Sequence, residues 1–212
     1  MTENKTKVLM GKEVYRLLRQ ILPENFDLSK AQEWLAEGNF REAIAALQSD
    51  LANVRAYAPN PFEANPEEVA ERLVGSPIAY LERAGSNICG VVTKASAFHE
   101  PRGNCPDLFS AEPGTVDKFY DARRGGFGAI LISAHPRGET GVASLEEVAI
   151  GNERVAKTRV MELFEIEAQK GSSLYRGDAK IVLAPRASSS LQGYTVAREE
   201  KFGGVYFTLR KN

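Results

Sequence analysis

Residues 144–171 read Ser-Leu-Glu-Glu-Val-Ala-Ile-Gly-Asn-Glu-Arg-Val-Ala-Lys-Thr-Arg-Val-Met-Glu-Leu-Phe-Glu-Ile-Glu-Ala-Gln-Lys-Gly, and they decide how the second half of the chain folds. Ser144 and Glu147 stand at capping-box spacing, where two side chains satisfy the backbone N–H groups that a helix start leaves open. Leu145, Val148, Val155, Val160, Leu163 and Ile166 then supply an apolar side, and Gly171 offers a stop. Gly151-Asn152 would weaken or bend such a helix midway. The stretch therefore predicts one long helix over about 144–170.

Strand signals lie on both sides of it. Lys180 to Ala184, Gly193 to Arg198 and Gly204 to Leu209 are strand candidates. The last two are joined by Glu199-Glu200-Lys201-Phe202-Gly203, a credible hairpin loop. Upstream, Ala129 to Ser133 reads as a buried strand, and His135-Pro136-Arg137-Gly138 leaves the sheet. Ile88 to Val92 reads as a strand, Thr93-Lys94-Ala95 as its turn, and Ser96 to His99 as the returning strand. Residues 100–126 are rich in Pro, Gly, Asp and Arg without periodicity. A connection of that length inside a domain is often functional.

The first third has helical period. Val8, Leu9, Val14, Leu17, Leu18, Ile21 and Leu22 form one stripe that Pro23 ends. Ser29 to Glu37 and Phe40 to Tyr57 predict two more helices, separated by Gly38 as a stop and Asn39 as a cap. Asn65-Pro66-Glu67-Glu68 starts a fourth, with proline at the first helical position and carboxylates in the first turn. It should end near Leu73. The stretch Ala-Glu-Gly-Asn-Phe-Arg-Glu-Ala-Ile-Ala-Ala-Leu at 36–47 resembles the turn and second helix of a tetratricopeptide-type repeat, in a single copy. The expected fold class is α+β. A small helical bundle over 1–74 is followed by an antiparallel or mixed sheet over 75–212, packed against the long helix and ending in a C-terminal β-hairpin.

Composition sets the outer limits. The chain has 212 residues, with 43% hydrophobic and 26% charged residues, enough for a substantial core without staples. Its N-terminal residues, Met-Thr-Glu-Asn-Lys-Thr-Lys, carry no apolar run of the signal-peptide kind. The longest apolar stretch, around Gly125 to Ala134, is too short to span a bilayer. Two cysteines make no disulfide framework, so a cytoplasmic setting is expected, or delivery into a host cell or virion. Charge is uneven. Residues 1–153 carry 16 Lys/Arg against 22 Asp/Glu, and residues 154–212 carry 11 against 6. Such a split suits a nucleic-acid face or oppositely charged ends that dock on a neighbour.

Chemistry-bearing residues cluster: the only Cys and His residues are Cys89, His99, Cys105 and His135. Across a hairpin turning at Lys94, Cys89 and His99 would be directly opposed, about 4.5–5.5 Å apart at Cβ. His99 could then take the thiol proton and Cys89 act as nucleophile. Cys89 also reads as a small buried hydrophobe. A strand-borne Cys with a His on the neighbouring strand loosely resembles the bacterial glutamine deamidases of the cytotoxic necrotizing factor and chemoreceptor deamidase group, over about fifteen residues. Those families usually carry Ser-Gly directly before the Cys, where this chain has Gly85-Ser86-Asn87-Ile88. The resemblance implies deamidation by Cys89 and His99.

The four residues lack the close chelating pair of a structural zinc site, so neither metal nor cofactor is expected. Arg123, Arg124 and Arg137 flank the 129–133 strand, where they could meet an anion. Arg176, Arg198 and Arg210, interleaved with Tyr194, Phe202 and Tyr206, could form a single-stranded nucleic-acid platform. Tyr175-Arg176-Gly177-Asp178 resembles the opening strand of some ADP-ribosyltransferases, but too few residues follow for that fold.

The leading functional expectation is a non-enzymatic binding or assembly subunit of a larger complex, phage-type or other, working with a protein partner or by self-association. The alternatives are the Cys89–His99 thiol enzyme and nucleic-acid binding by the C-terminal sheet. No membrane partner is expected.

Overall fold

The computed structural model describes residues 60–80, 88–100, 106–121, 127–166, 170–175, 179–183, 185–186, 191 and 193–212. In chain order its elements are α1 (Pro66–Leu73), β1 (Pro77–Tyr80), β2 (Ile88–Phe98), α2 (Pro106–Phe109), β3 (Val116–Asp121), β4 (Phe127–Ser133), β5 (Val142–Ile150), β6 (Glu153–Ala156), α3 (Lys157–Leu163), β7 (Ile181–Leu183), β8 (Tyr194–Lys201) and β9 (Gly204–Lys211). The nine strands form one sheet in which each described pairing is antiparallel.

The long pair β2–β5 is the axis of this sheet. β5 runs along one edge of β2 from Val91 to Phe98. The other edge of β2 is divided: β1 takes Ile88 to Val91 and β9 takes Lys94 to Ala97. β5 divides its own outer edge between β4 and β6. The sheet therefore forks on both sides of the axis, with β2 and β5 continuous through both branches.

A paired bulge makes the fork. Val92 faces Val148, Lys94 faces Glu147 and Ala95 faces Leu145, which leaves Thr93 and Glu146 as extra residues. Bulges bend strands and raise their twist. Val92, Ala95, Leu145 and Val148 are all buried in the same core. The two residues between the apolar ones on each strand consequently turn to the opposite side. The inner face is covered by Phe62, by Val69, Ala70 and Leu73 of α1, and by Val160 of α3 with Phe164 and Ile166.

α1 forms for the reasons its sequence gives. The Asn65 side chain accepts from the Glu67 N–H, Pro66 opens the helix, and Val69, Ala70 and Leu73 form its buried face. Val74 is extended, and Gly75 follows at φ +83°, a conformation that suits glycine. Gly75 N–H donates to Val92 at 2.7 Å and ties the helix end to β2.

The α+β expectation is corrected in its main parts. Residues 144–170 do not form one long helix. Residues 144–163 form most of β5, a turn at Gly151-Asn152, β6 and the seven-residue α3. Ile150 pairs with Glu153 across a two-residue loop whose first residue, Gly151, has φ +59°. Glycine at that position is the mark of a type II′ hairpin turn. The described residues contain three short helices and no helical bundle; α1 packs on β2, β5 and β9. The three helices expected before residue 58 lie outside the described residues. The expected turn at Thr93-Lys94-Ala95 is the bulge within one eleven-residue strand. That tripeptide offers no Gly, Asn, Asp or Pro to reverse the chain. The C-terminal hairpin is present, with a tighter loop than expected: Phe202 and Gly203 alone, at φ +51° and +66°, as a type I′ turn requires.

Candidate functional site

The expected thiol–imidazole pair is not assembled. β2 continues unbroken from Ile88 to Phe98, with Cys89 in register with Ala79 at one end and His99 just past the other. At about 3.3 Å of rise per residue, ten steps separate the two by roughly 30 Å. Cys105, Arg123, Arg124 and Arg176 lie outside the described residues. His135 is buried, with Nδ1 3.0 Å from the Pro136 carbonyl and Nε2 2.9 Å from the Ala111 carbonyl. Both ring nitrogens face backbone oxygens, so His135 ties the segment after α2 to the end of β4. No group of three metal-ligating residues occurs among the described residues. Arg137 is 91% exposed, 3.4 Å from Glu63.

His99 instead meets the first turn of α1. Its Nε2 is 3.4 Å from Glu67 Oε1, and Arg198 of β8 donates to Glu67 Oε2 at 3.0 Å. Arg198 also donates to Glu200 at 2.6 Å. The neighbouring guanidinium of Arg198, more than the His99 ring, holds the Glu67 carboxyl below its ordinary range, against the opposing effect of burial. The same contacts, led by Glu67, push Arg198 up. Beside this network a shallow depression of about 340 Å³ opens to solvent, lined by Ala97, His99, Glu200, Lys201, Gly203, Gly204 and Val205. Lys201 donates to Glu199 at 2.8 Å and lies 5.0 Å from the Tyr206 ring centre. Arg210, opposite Thr195, adds to the field that lowers Glu199, after the larger effect of Lys201.

A second polar group escapes a reading by motif. On the outer side of the paired bulge, Glu146 accepts from Ser96 at 2.7 Å, from Ser144 at 3.0 Å and from Lys157 at 3.1 Å. Glu147 accepts from Thr93 at 2.8 Å and Lys94 at 3.1 Å, with Arg154 3.5 Å away. The three hydroxyl residues are buried. Each carboxylate oxygen already has a donor, and the hydroxyls are closed to a substrate. The cluster satisfies the polar groups of the bulge and offers no reactive atom. Its signal in the sequence is the matched run of polar residues, Thr93-Lys94-Ala95-Ser96 and Ser144-Leu145-Glu146-Glu147, but only pairing the two strands reveals the match.

The chain matches no protein-family model, and no curated protein is similar to it in sequence. Function must rest on what the surfaces offer. Of the cations on the C-terminal hairpin, Arg198 is engaged by two carboxylates and Lys201 by one, while Arg210 and Lys211 are exposed at the end of β9. Among the described residues β3, β6, β7 and β8 each pair with one other strand, and β8 is the longest of these margins. Among the described residues β8 pairs with β9 alone, and most of its side chains are exposed. Next to it, Phe202 is 69% exposed at the hairpin tip. No described helix is long and apolar enough to cross a membrane.

Proposed function

We propose that this protein is a non-enzymatic binding or assembly subunit, and that the β8–β9 hairpin is its contact element. One observation supports this reading above the others: a strand of eight residues stands at the margin of a nine-stranded sheet with its outer edge open among the described residues. Such an edge is a template for pairing with another chain. The exposed Phe202 ring at its end adds apolar surface of the kind that interfaces enrich. A thiol-enzyme reading loses its base when Cys89 and His99 stand far apart. A nucleic-acid reading has Arg198 and Lys201 held by Glu67, Glu199 and Glu200, which leaves it Arg210 and Lys211 on this hairpin. With only two cysteines, a reducing compartment suits the chain, either the cytoplasm or a cell or virion that receives it.

The test is the mass of the native protein recovered from its own cells, by sedimentation at low and high salt. A species heavier than the 23.2 kDa chain, dissociating as salt screens the charged contacts, is expected. Migration as a 23.2 kDa monomer at every salt concentration would refute the reading.

A further inference from the structure

The partner of this edge follows from its hydrogen-bond parity and its charge order. Lys201 and Gly204 close the two-residue turn, so they form a hydrogen-bonded pair. Such pairs alternate along an antiparallel ladder. Odd-numbered residues of β8 therefore bond to β9, and the Asn212 N–H donating to the Gly193 carbonyl at 3.1 Å agrees. Even-numbered residues turn their N–H and C=O groups outward. Tyr194 N–H is taken by the Leu191 carbonyl. Val196, Arg198 and Glu200 present the open edge.

Any strand that docks there must match this parity. Within the even positions, an antiparallel second β8 has few registers. Centred on Arg198 it sets two guanidinium groups against each other. Centred on Ala197 it sets Arg198 against Val196 and Glu200 against Tyr194, so no opposite charges face each other. Centred on Glu199 it places Arg198 opposite Glu200 twice, once on each side of the two-fold axis. In that register Glu199 lies diagonal to Lys201 of the other copy, again twice, and Val196 faces Phe202. Glu199 facing its own copy is the one directly opposed like-charge pair, and it is flanked by both lysines; Arg198 and Glu200 each also lie diagonal to their own copy. Opposed charges across strands stabilise pairing and like charges disfavour it, so this register is the complementary one.

We propose that the protein self-associates through antiparallel β8–β8 pairing about a two-fold axis at Glu199, joining two nine-stranded sheets into one. This rests on the binding-subunit reading and names the partner as a second copy of the chain. The interface is isologous, as a two-fold dimer requires. The hairpin tip contributes Phe202 to each end, and Arg198 brings with it the tie to Glu67 of α1. Association should weaken with salt, because four of its contacts join charges near the surface.

The experiment uses the purified full chain and two readouts. In E199C the two introduced thiols meet at a non-hydrogen-bonded pair, where side chains approach most closely. Diamide oxidation should give a covalent dimer whose disulfide peptide, read by mass spectrometry, joins position 199 to position 199. The same treatment of V196C, which faces Phe202, should give none. Sedimentation from micromolar to near-millimolar concentration should show monomer and dimer. E199K, which sets lysines against lysines, should weaken the dimer about tenfold, and E199K/K201E should restore it. A pure chain that stays monomeric without a 199–199 disulfide would overturn self-pairing. If the native protein is then still found in a heavier species, the binding-subunit reading stands with a different partner. If the native protein is monomeric as well, both fail.

Discussion

Replacing Gly151 by alanine separates the hairpin from a helix by the sign of its effect. In a helix interior, glycine is less favourable than alanine by about 0.8–1 kcal/mol, so the substitution would stabilise. In the structure Gly151 has φ +59°, and a Cβ built there meets nothing within 4 Å. Sterics with neighbours therefore contribute nothing, and the effect is that of the backbone alone. Holding alanine at positive φ costs roughly 1–2 kcal/mol. The lower entropy of the unfolded alanine chain returns about 0.4–1 kcal/mol. The balance is a net destabilisation of about 1 kcal/mol, or roughly a fivefold shift toward the unfolded state. Urea unfolding of G151A and the parent chain, compared at equal slopes, reads this difference. An alanine variant as stable as the parent, or more stable, would refute the β5–β6 turn and return residues 144–170 to a helix.

Three further perturbations probe the same structure. Gly204→Ala drives a Cβ into the Phe98 ring and to 2.9 Å from the Ala97 carbonyl; the hairpin must shift, and a loss of about 1–3 kcal/mol is expected by thermal or urea unfolding. Glu146→Ala strips Ser96, Ser144 and Lys157 of their shared acceptor, and leaving such groups unsatisfied should lower stability by about 1–3 kcal/mol in the same assay. Glu67→Gln removes a carboxylate whose folded pKa lies below its ordinary value, chiefly through Arg198. That contribution is complete above the ordinary carboxylate range and is lost as pH falls through the depressed folded value. The stability gap between parent and E67Q should therefore be constant near neutrality and close in acid, with a size below about 1 kcal/mol for so exposed a pair.

Some elements can be read from residues alone because their signals are local. Asn65, Pro66 and the two glutamates after them specify the start of α1, and Val205 to Thr208 alternates buried and half-buried positions in β9. The axis of the sheet is not local. Bulging β5 at Glu146 buries Leu145 and Val148 on the same side, three residues apart, and three-residue spacing is also that of a helix. The same holds for Val92 and Ala95 on β2. A helical period was thus written by a bent strand, and Ser144 and Glu147 completed the imitation of a cap. The Gly151-Asn152 pair carried the contrary signal, since glycine followed by asparagine also marks a two-residue hairpin. The candidate site failed for the same reason. Opposing Cys89 to His99 required a turn at Lys94, where the chain bulges and runs on. The Glu67–Arg198–His99 network joins residues up to 131 positions apart, a separation that no spacing rule spans.

The open edge of β8 is tested most directly by amide exchange at single residues as protein concentration rises. In dilute solution the amides of Thr195, Ala197 and Glu199, bonded to β9, should exchange slowly, while those of Val196, Arg198 and Glu200 exchange fast. At high concentration the second set should become protected together, as a neighbouring β8 takes up their hydrogen bonds. Protection of Val196, Arg198 and Glu200 already at high dilution, or fast exchange at every concentration with or without the native partners present, would contradict the account.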